Sequence, residues 1–240
     1  MEEHPSKITV VLPTYNEADN LAEMVSTLFG LGLPGLNIVI VDDNSPDGTG
    51  KIADELAERH RGLIEVIHRP GKLGLGTAYV TGFHRALDEG ADFVIEMDAD
   101  FSHPPETLLK FLDLIRHADV VVGSRYVRGG KVDEQWSLWR RFLSWGGNVY
   151  ARAITGLRVH DTTAGFKCFR AATLRGIDLE RIRSDGYAFQ VEMAYACQRK
   201  GYRAVEVPIV FLDRTHGKSK MSGRIVREAF WRVWQMKFRY

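Results

Sequence analysis

The chain has 240 residues, 45% hydrophobic and 26% charged, and its 32 Lys and Arg nearly balance 31 Asp and Glu for a formal net charge of +1. That length supports one large core or two small ones, the composition excludes disorder, and the balanced charge gives no global case for nucleic-acid binding. Cys168 and Cys197 lack metal-ligand spacing and the density of a disulfide scaffold, which fits a reducing compartment, and no apolar run approaches the ~20 residues that span a bilayer.

Met1-Glu2-Glu3-His4-Pro5 lacks the apolar stretch of a signal peptide, so a cytoplasmic protein is expected. Ile8-Thr9-Val10-Val11-Leu12 reads as a first strand, and Pro13-Thr14-Tyr15-Asn16-Glu17 as a loop feeding a helix with Leu21, Met24, Val25, Leu28 and Leu31 on its apolar face. Asn37-Ile38-Val39-Ile40-Val41 is a second buried strand, closing on Asp42-Asp43-Asn44-Ser45-Pro46-Asp47-Gly48-Thr49 and a helix through Ile52, Leu56 and Ala57. An acid at such a strand end can accept hydrogen bonds from a ribose or base, the reading preferred for Asp42, whereas Asp47 reads as a turn and capping residue.

A third strand runs from Leu63 to Ile67 and is followed by Gly71-Lys72-Leu73-Gly74-Leu75-Gly76 and a helix carrying Ala78, Val80, Phe83 and Leu87. These glycines let backbone approach a phosphate and Lys72 adds charge, but the stretch is not a Walker A motif and also reads as a flexible loop. The fourth strand ends in Glu96-Met97-Asp98-Ala99-Asp100, ahead of a helix that opens at Pro104-Pro105-Glu106. Two carboxylates at the open end of a parallel sheet are either a solvated turn capping that helix, or ligands for a hard divalent cation that bridges a substrate diphosphate.

Val120-Val121-Val122-Gly123 is a fifth strand ending at Ser124-Arg125-Tyr126, where Arg125 is placed for bidentate neutralisation of an oxyanion. From Trp136 to Ile154 the chain interleaves Trp136, Leu138, Trp139, Phe142, Leu143, Trp145, Val149 and Tyr150 with Arg140, Arg141 and Arg152; Trp231 and Trp234 recur near the C-terminus among Arg224, Arg227 and Arg232. Amphipathic helices of this make-up suit a membrane interface, with a core or dimer stripe as the alternative. Further on, Asp161, Gln190 and Glu192 fall where they could reach the acceptor side of a crevice, although for Glu192 a helix-surface acid is the preferred reading. Val205 to Phe211 reads as one strand leading to the basic loop Arg214-Thr215-His216-Gly217-Lys218-Ser219-Lys220. Strands alternating with helices give an α/β fold, a mainly parallel central sheet flanked by helices.

Pro13-Thr14-Tyr15-Asn16-Glu17, Val41 to Thr49, Asp98-Ala99-Asp100, Gly123-Ser124-Arg125-Tyr126, Asp161-Thr162-Thr163-Ala164-Gly165-Phe166 and Arg214 to Met221 together resemble, in order, the motif set of the polyprenol (dolichol) phosphate mannose synthases, family-2 glycosyltransferases with the GT-A fold. The resemblance implies a GT-A catalytic domain over 1–220, including an interface helix at about 136–155, with a C-terminal basic amphipathic helix over 221–240; members of the family often carry C-terminal transmembrane helices, and no transmembrane span is expected in this chain. It implies GDP-mannose as donor and polyprenyl (dolichyl) phosphate as acceptor, at the cytoplasmic face of a membrane to which the protein binds peripherally. Asp98, Asp100 and Arg125 would be catalytic. Pro13, Tyr15, Glu17, Asp42, Lys72, Ala99, Arg214 and Lys220 would bind the donor; Arg125, Arg140 and Ser144 the acceptor phosphate; Asp98, Asp100 and Ser102 would hold Mg²⁺ or Mn²⁺. Many relatives have Gln at the position of Ser102, which leaves metal preference open. A family-2 transferase using UDP-glucose or another nucleotide sugar, a non-catalytic nucleotide-sugar or lipid-phosphate binding module and a soluble nucleotidyltransferase are the alternatives.

Overall fold

A computed structural model describes residues 6–212 and 223–239. The first half of the chain alternates β1 (Ile8–Thr14), α1 (Leu21–Gly30), β2 (Leu36–Asp42), α2 (Thr49–Arg59), β3 (Ile64–His68), α3 (Leu75–Asp88) and β4 (Phe93–Glu96). It continues through α4 (Thr107–Leu114), β5 (Val120–Ser124), β6 (Lys131–Val132), α5 (Leu138–Thr155), β7 (Lys167–Arg170), α6 (Ala171–Gly176), α7 (Gly186–Arg199), β8 (Ala204–Pro208), β9 (Val210–Phe211) and α8 (Gly223–Arg239).

Seven strands form one sheet in the order β3-β2-β1-β4-β7-β5-β8. All neighbours pair in parallel except β7, which runs antiparallel to both β4 and β5. The central strands are apolar on both faces because both faces are covered. Ile38 and Ile40 of β2 join Val10 and Leu12 of β1 in a core under α1, α2 and α4; the alternate residues Val39, Val41 and Val11 join a second core with α3 and α7. Helix α8 rests on α5 and α7, and its Val233 and Met236 enter the second core.

Two elements depart from the sequence reading. The run Val205–Phe211 is divided into β8 and β9, because Pro208 has no N–H to extend the ladder, and β9 turns away to pair with β6. Trp136 lies ahead of α5, whose cap is the Ser137 hydroxyl accepting from the Arg140 N–H (3.2 Å), so Trp136 is buried rather than part of an exposed helix face.

This topology places the loops after β1, β2, β4 and β5 at one edge of the sheet, and antiparallel β7 returns the loop before it to the same edge. The three described non-glycine residues with left-handed backbone, Asn16 (φ 61°), Asn44 (φ 56°) and Phe101 (φ 60°), all sit in these loops. Such a conformation costs about 1–2 kcal/mol for a residue like Phe101.

Helix α3 crosses β1 at Gly82, where a Cβ would lie 2.2 Å from Val11 Cγ1, a stiff side chain on a central strand. We expect Gly82→Ala to lower unfolding stability by about 1–3 kcal/mol, seen as a shifted urea midpoint with an unchanged slope.

Candidate active site

A cleft of about 430 Å³ opens at that sheet edge. Of the described residues expected from sequence, Pro13, Tyr15, Glu17, Lys72, Asp98, Ala99, Asp100, Ser102, Arg125 and Arg140 line it, whereas Asp42 and Ser144 do not. Arg214 and Lys220 lie outside the described residues.

At one end, Pro13 stands near the end of β1 and Tyr15 just beyond it, and the Lys72 ammonium sits 4.1 Å above the Tyr15 ring. Asp42 is turned inward: its carboxylate accepts from the hydroxyls of Thr14 (3.0 Å) and Ser45 (2.6 Å) and from the Ser45 N–H (3.1 Å). Asp43 lines the cleft instead and pairs with Arg69, which also donates to Thr77 Oγ1 (2.7 Å) and the Gly74 carbonyl (2.9 Å). Arg69 thereby ties the end of β2 to the glycine-rich loop. Gly74 is required there by close approach as well as by its φ of +106°, since a Cβ would meet Asp185 Oδ2 at 2.5 Å. Asp185 accepts from the Gly76 N–H (2.7 Å) at the positive end of α3. Asp47 behaves as expected of a turn residue, accepting from Thr49 and Ala18; although burial opposes it, these bonds hold its carboxyl below the usual range.

The centre of the cleft carries Asp98 and Asp100. The Tyr79 hydroxyl donates to Asp98 Oδ1 (2.8 Å), and burial together with the Asp98 charge keeps that phenol protonated far above its ordinary range. Ser102 donates to Asp100 Oδ1 through both its hydroxyl (2.6 Å) and its N–H (3.1 Å). The left-handed turn at Phe101 brings Ser102 back onto the carboxylate. His103 Nδ1 accepts the Asp98 N–H (3.1 Å), so the ring carries its proton on Nε2; burial depresses its basicity, and it stacks on Phe166 with centroids 5.0 Å apart.

At the far end, Arg125 is held by a carboxylate of the protein itself. Its Nε and Nη2 bond Asp161 (both 2.7 Å), and Nη2 also reaches Thr163 Oγ1 (2.8 Å). Burial opposes the guanidinium charge, but Asp161 outweighs burial and strengthens it, and Arg125 in turn depresses the Asp161 carboxyl. Arg140 lies over the Trp136 ring, 3.9 Å from its centroid, with both residues lining the cleft. Ser144, one turn further along α5, accepts from the Tyr126 hydroxyl (2.7 Å). Glu192 is neither a surface acid nor a cleft residue: it is buried, accepting from the N–H groups of Arg183 (3.1 Å) and Ser184 (2.9 Å) and from Arg239 (2.9 Å).

The donor set suits a hard cation. Two oxygen ligands from Asp98 and Asp100 face an open cleft with room for substrate and water oxygens, the pattern Mg²⁺ or Mn²⁺ takes in diphosphate sites. Among the described residues no three His, Cys, Asp or Glu form a closed metal cage.

Sequence reasoning missed Asp43, Arg69, Tyr79 and Asp185. Arg69 carried a signal, standing at a strand end beside Pro70 as Arg125 stands beyond β5. Tyr79 and Asp185 carried none, because their partners, Asp98 and Gly76, are distant in sequence.

Residues 9–177 match the glycosyl transferase family 2. The chain is 47% identical over 223 residues to the undecaprenyl-phosphate mannosyltransferase of Micrococcus luteus, covering 93% of this chain and 90% of that protein. It is 46% identical over 226 residues to the polyprenol monophosphomannose synthase of Mycolicibacterium smegmatis, covering 93% and 84%. A mannosyltransferase from Pyrobaculum calidifontis, solved in complex with GDP-Man and Mn²⁺, shares the fold with a TM-score of 0.65 at 20% identity, over 99% of this chain and 66% of that one.

Removing the acid of the Arg125 pair would strand a buried guanidinium. We expect Asp161→Ala to cost about 3–5 kcal/mol in chemical unfolding. Because the Asp161 carboxyl is depressed on folding, its contribution is full above the ordinary carboxylate range and is lost as pH falls below about 4. Asp161→Asn should flatten that acid limb of the stability curve.

Proposed function

The chain belongs to glycosyl transferase family 2, and from that premise we propose that it is a polyprenyl-phosphate mannosyltransferase, moving mannose from GDP-mannose to a polyprenyl (dolichyl) phosphate with inversion to the β-mannosyl phosphoryl lipid. The observation that carries this reading is the order of groups along one cleft: an aromatic and lysine end, a pair of carboxylates, then arginines. The similarity to two named polyprenyl-phosphate mannosyltransferases, each covering most of both chains, supports it, and the shared GT-A type of sheet agrees with it.

In this mechanism Pro13, Tyr15, Glu17 and Lys72 bind the nucleotide, with Asp43 at the position expected of Asp42. Asp98 and Asp100 would hold Mg²⁺ or Mn²⁺, which would supply charge neutralisation to the donor diphosphate as leaving group. Tyr79 and Ser102 fix the two carboxylates before substrate arrives, so little reorganisation is left for the reaction. The acceptor needs no strong base, since a phosphate monoester has its second pKa near ~6 and is largely anionic at neutral pH. His103 is unsuited to that role in any case, because its Nδ1 already accepts the Asp98 N–H. Arg125 and Arg140 draw the anionic acceptor in and screen it from the diphosphate. Ser144 supports this end through Tyr126, and Arg214 and Lys220 are proposed as further donor-binding residues.

The lipid reaches the cleft along α5. Trp139 (66% exposed), Phe142 and Trp145 (53%) form an outward stripe on the helix that carries Arg140 inward, and α8, packed on α5, exposes Trp231 (64%) and Phe238 (82%). Among the described residues no helix is long and apolar enough to cross a membrane. The exposed aromatics make the contact interfacial, with the catalytic unit over 1–220 and the basic helix α8 at the cytoplasmic face.

The test is transfer of label from GDP-mannose, with UDP-glucose in parallel, into extractable polyprenyl phosphate. Metal-dependent mannose transfer that falls at least ~100-fold in Asp100→Ala is expected. Label from UDP-glucose alone would replace the donor, and no transfer despite donor binding would favour a binding module. Trp139→Ala with Trp145→Ala should weaken partition onto anionic lipid vesicles by at least ~10-fold, measured by sedimentation, with unchanged circular dichroism.

A further inference from the structure

Beneath the cleft lies a fully enclosed lysine that the mechanism above does not use. Lys167 is 1% exposed and does not line the cleft. Its ammonium donates to the Gln190 Oε1 and the Ala164 carbonyl, and lies 3.7 Å from the buried Glu96 carboxylate. An ion pair buried in this way is seldom more stable than well-packed apolar side chains, so its presence calls for another explanation.

The explanation lies in what Lys167 does to Gln190. An ammonium offers only donors, so the Gln190 carbonyl oxygen must face it; the amide nitrogen is left to border both the buried Glu96 carboxylate, whose acidity it strengthens, and the cleft at Gly165. Gln190 lines the cleft, and its Nε2 lies 3.4 Å from where a Cβ on Gly165 would stand. His103 presents its edge to the same spot, with Cε1 at 3.5 Å and Nε2 at 3.9 Å, and its Nε2 carries the proton because Nδ1 accepts from Asp98. Two uncharged N–H donors of fixed orientation thus converge beside a residue that has no side chain. Around them the cleft offers charged groups: Asp98 and Asp100 on one side and Arg125 on the other.

We propose that Gln190 is a specificity-determining residue that donates to a hydroxyl of the transferred sugar, and that Lys167 is the positioning residue that fixes its amide for that contact. The inference rests on the proposed transfer reaction. In that reaction the sugar lies between the diphosphate held at Asp98 and Asp100 and the acceptor phosphate at Arg125. A neutral polyol in that interval needs neutral donors, and a donor locked in orientation discriminates more sharply than one free to rotate.

The experiment is steady-state kinetics of Gln190→Met and Lys167→Met with GDP-mannose and polyprenyl phosphate, with GDP as competitive inhibitor. Both variants are expected to raise the KM for GDP-mannose about 10-fold, while the GDP inhibition constant and the KM for the lipid phosphate stay within about twofold. Should Lys167→Met fail to fold, Gln190→Glu takes its place: it keeps an acceptor for Lys167, has no N–H to offer, and is expected to give the same rise. An unchanged KM for GDP-mannose in Gln190→Met overturns the proposal, as does a parallel change in the GDP or lipid constants, which would mark a general structural role. Wild-type protein that transfers no mannose at all would instead overturn the donor reading on which the proposal stands.

Discussion

Two carboxylates at the end of one strand repel each other, and the cleft is arranged around that repulsion. Asp98 and Asp100 are brought together by β4 and by a turn that puts Phe101 in a left-handed conformation. Each is gripped through its Oδ1, one by the Tyr79 phenol and the other by Ser102. These bonds orient both carboxylates. In the proposed function the pair would hold a divalent cation and, through it, a diphosphate that carboxylates alone would reject.

Three cations in and beneath the cleft are managed in the opposite manner, each matched to a buried acid. Arg69 pairs with Asp43, Arg125 with Asp161, and Lys167 stands beside Glu96. Burial pushes the Glu96 carboxyl up to about 7, opposed by Lys167 and Gln190. Such pairs contribute little net stability. What they confer is direction, since each guanidinium or ammonium is also bonded to a group that shapes the cleft: the Gly74 carbonyl, Thr163 and Gln190 respectively. The same fixed field serves a reaction between two anions, in which positioning and charge screening matter more than proton transfer.

Much of this was legible in the sequence. The apolar runs of β1, β2, β4 and β5 are buried on both faces, and a run with that property is readable without knowing its neighbours. Asp98, Ala99, Asp100 and Arg125 follow directly from where those runs end. The choice between Asp42 and Asp43 was not legible, because it depends on side-chain parity. Asp42 shares its face with Ile38 and Ile40 and points into the core beneath α2, while Asp43 takes the other side and lines the cleft. The antiparallel direction of β7 was not legible, and Lys167 gave no sign of burial because its partners, Glu96 and Gln190, come from other elements. Trp136 was grouped with α5 by spacing, but the helix starts at Leu138, and that displacement changes a membrane-facing ring into a wall of the cleft.

The central claim is that Asp98 and Asp100 act as one divalent-cation site that holds the donor's diphosphate. Anomalous diffraction at the manganese edge from crystals grown with GDP and Mn²⁺ tests it most directly. A single peak within coordination distance of both carboxylates and of a diphosphate oxygen, absent from Asp98→Asn crystals, is the result this account predicts. GDP bound with no manganese at these carboxylates, or manganese held elsewhere in the cleft, would contradict it.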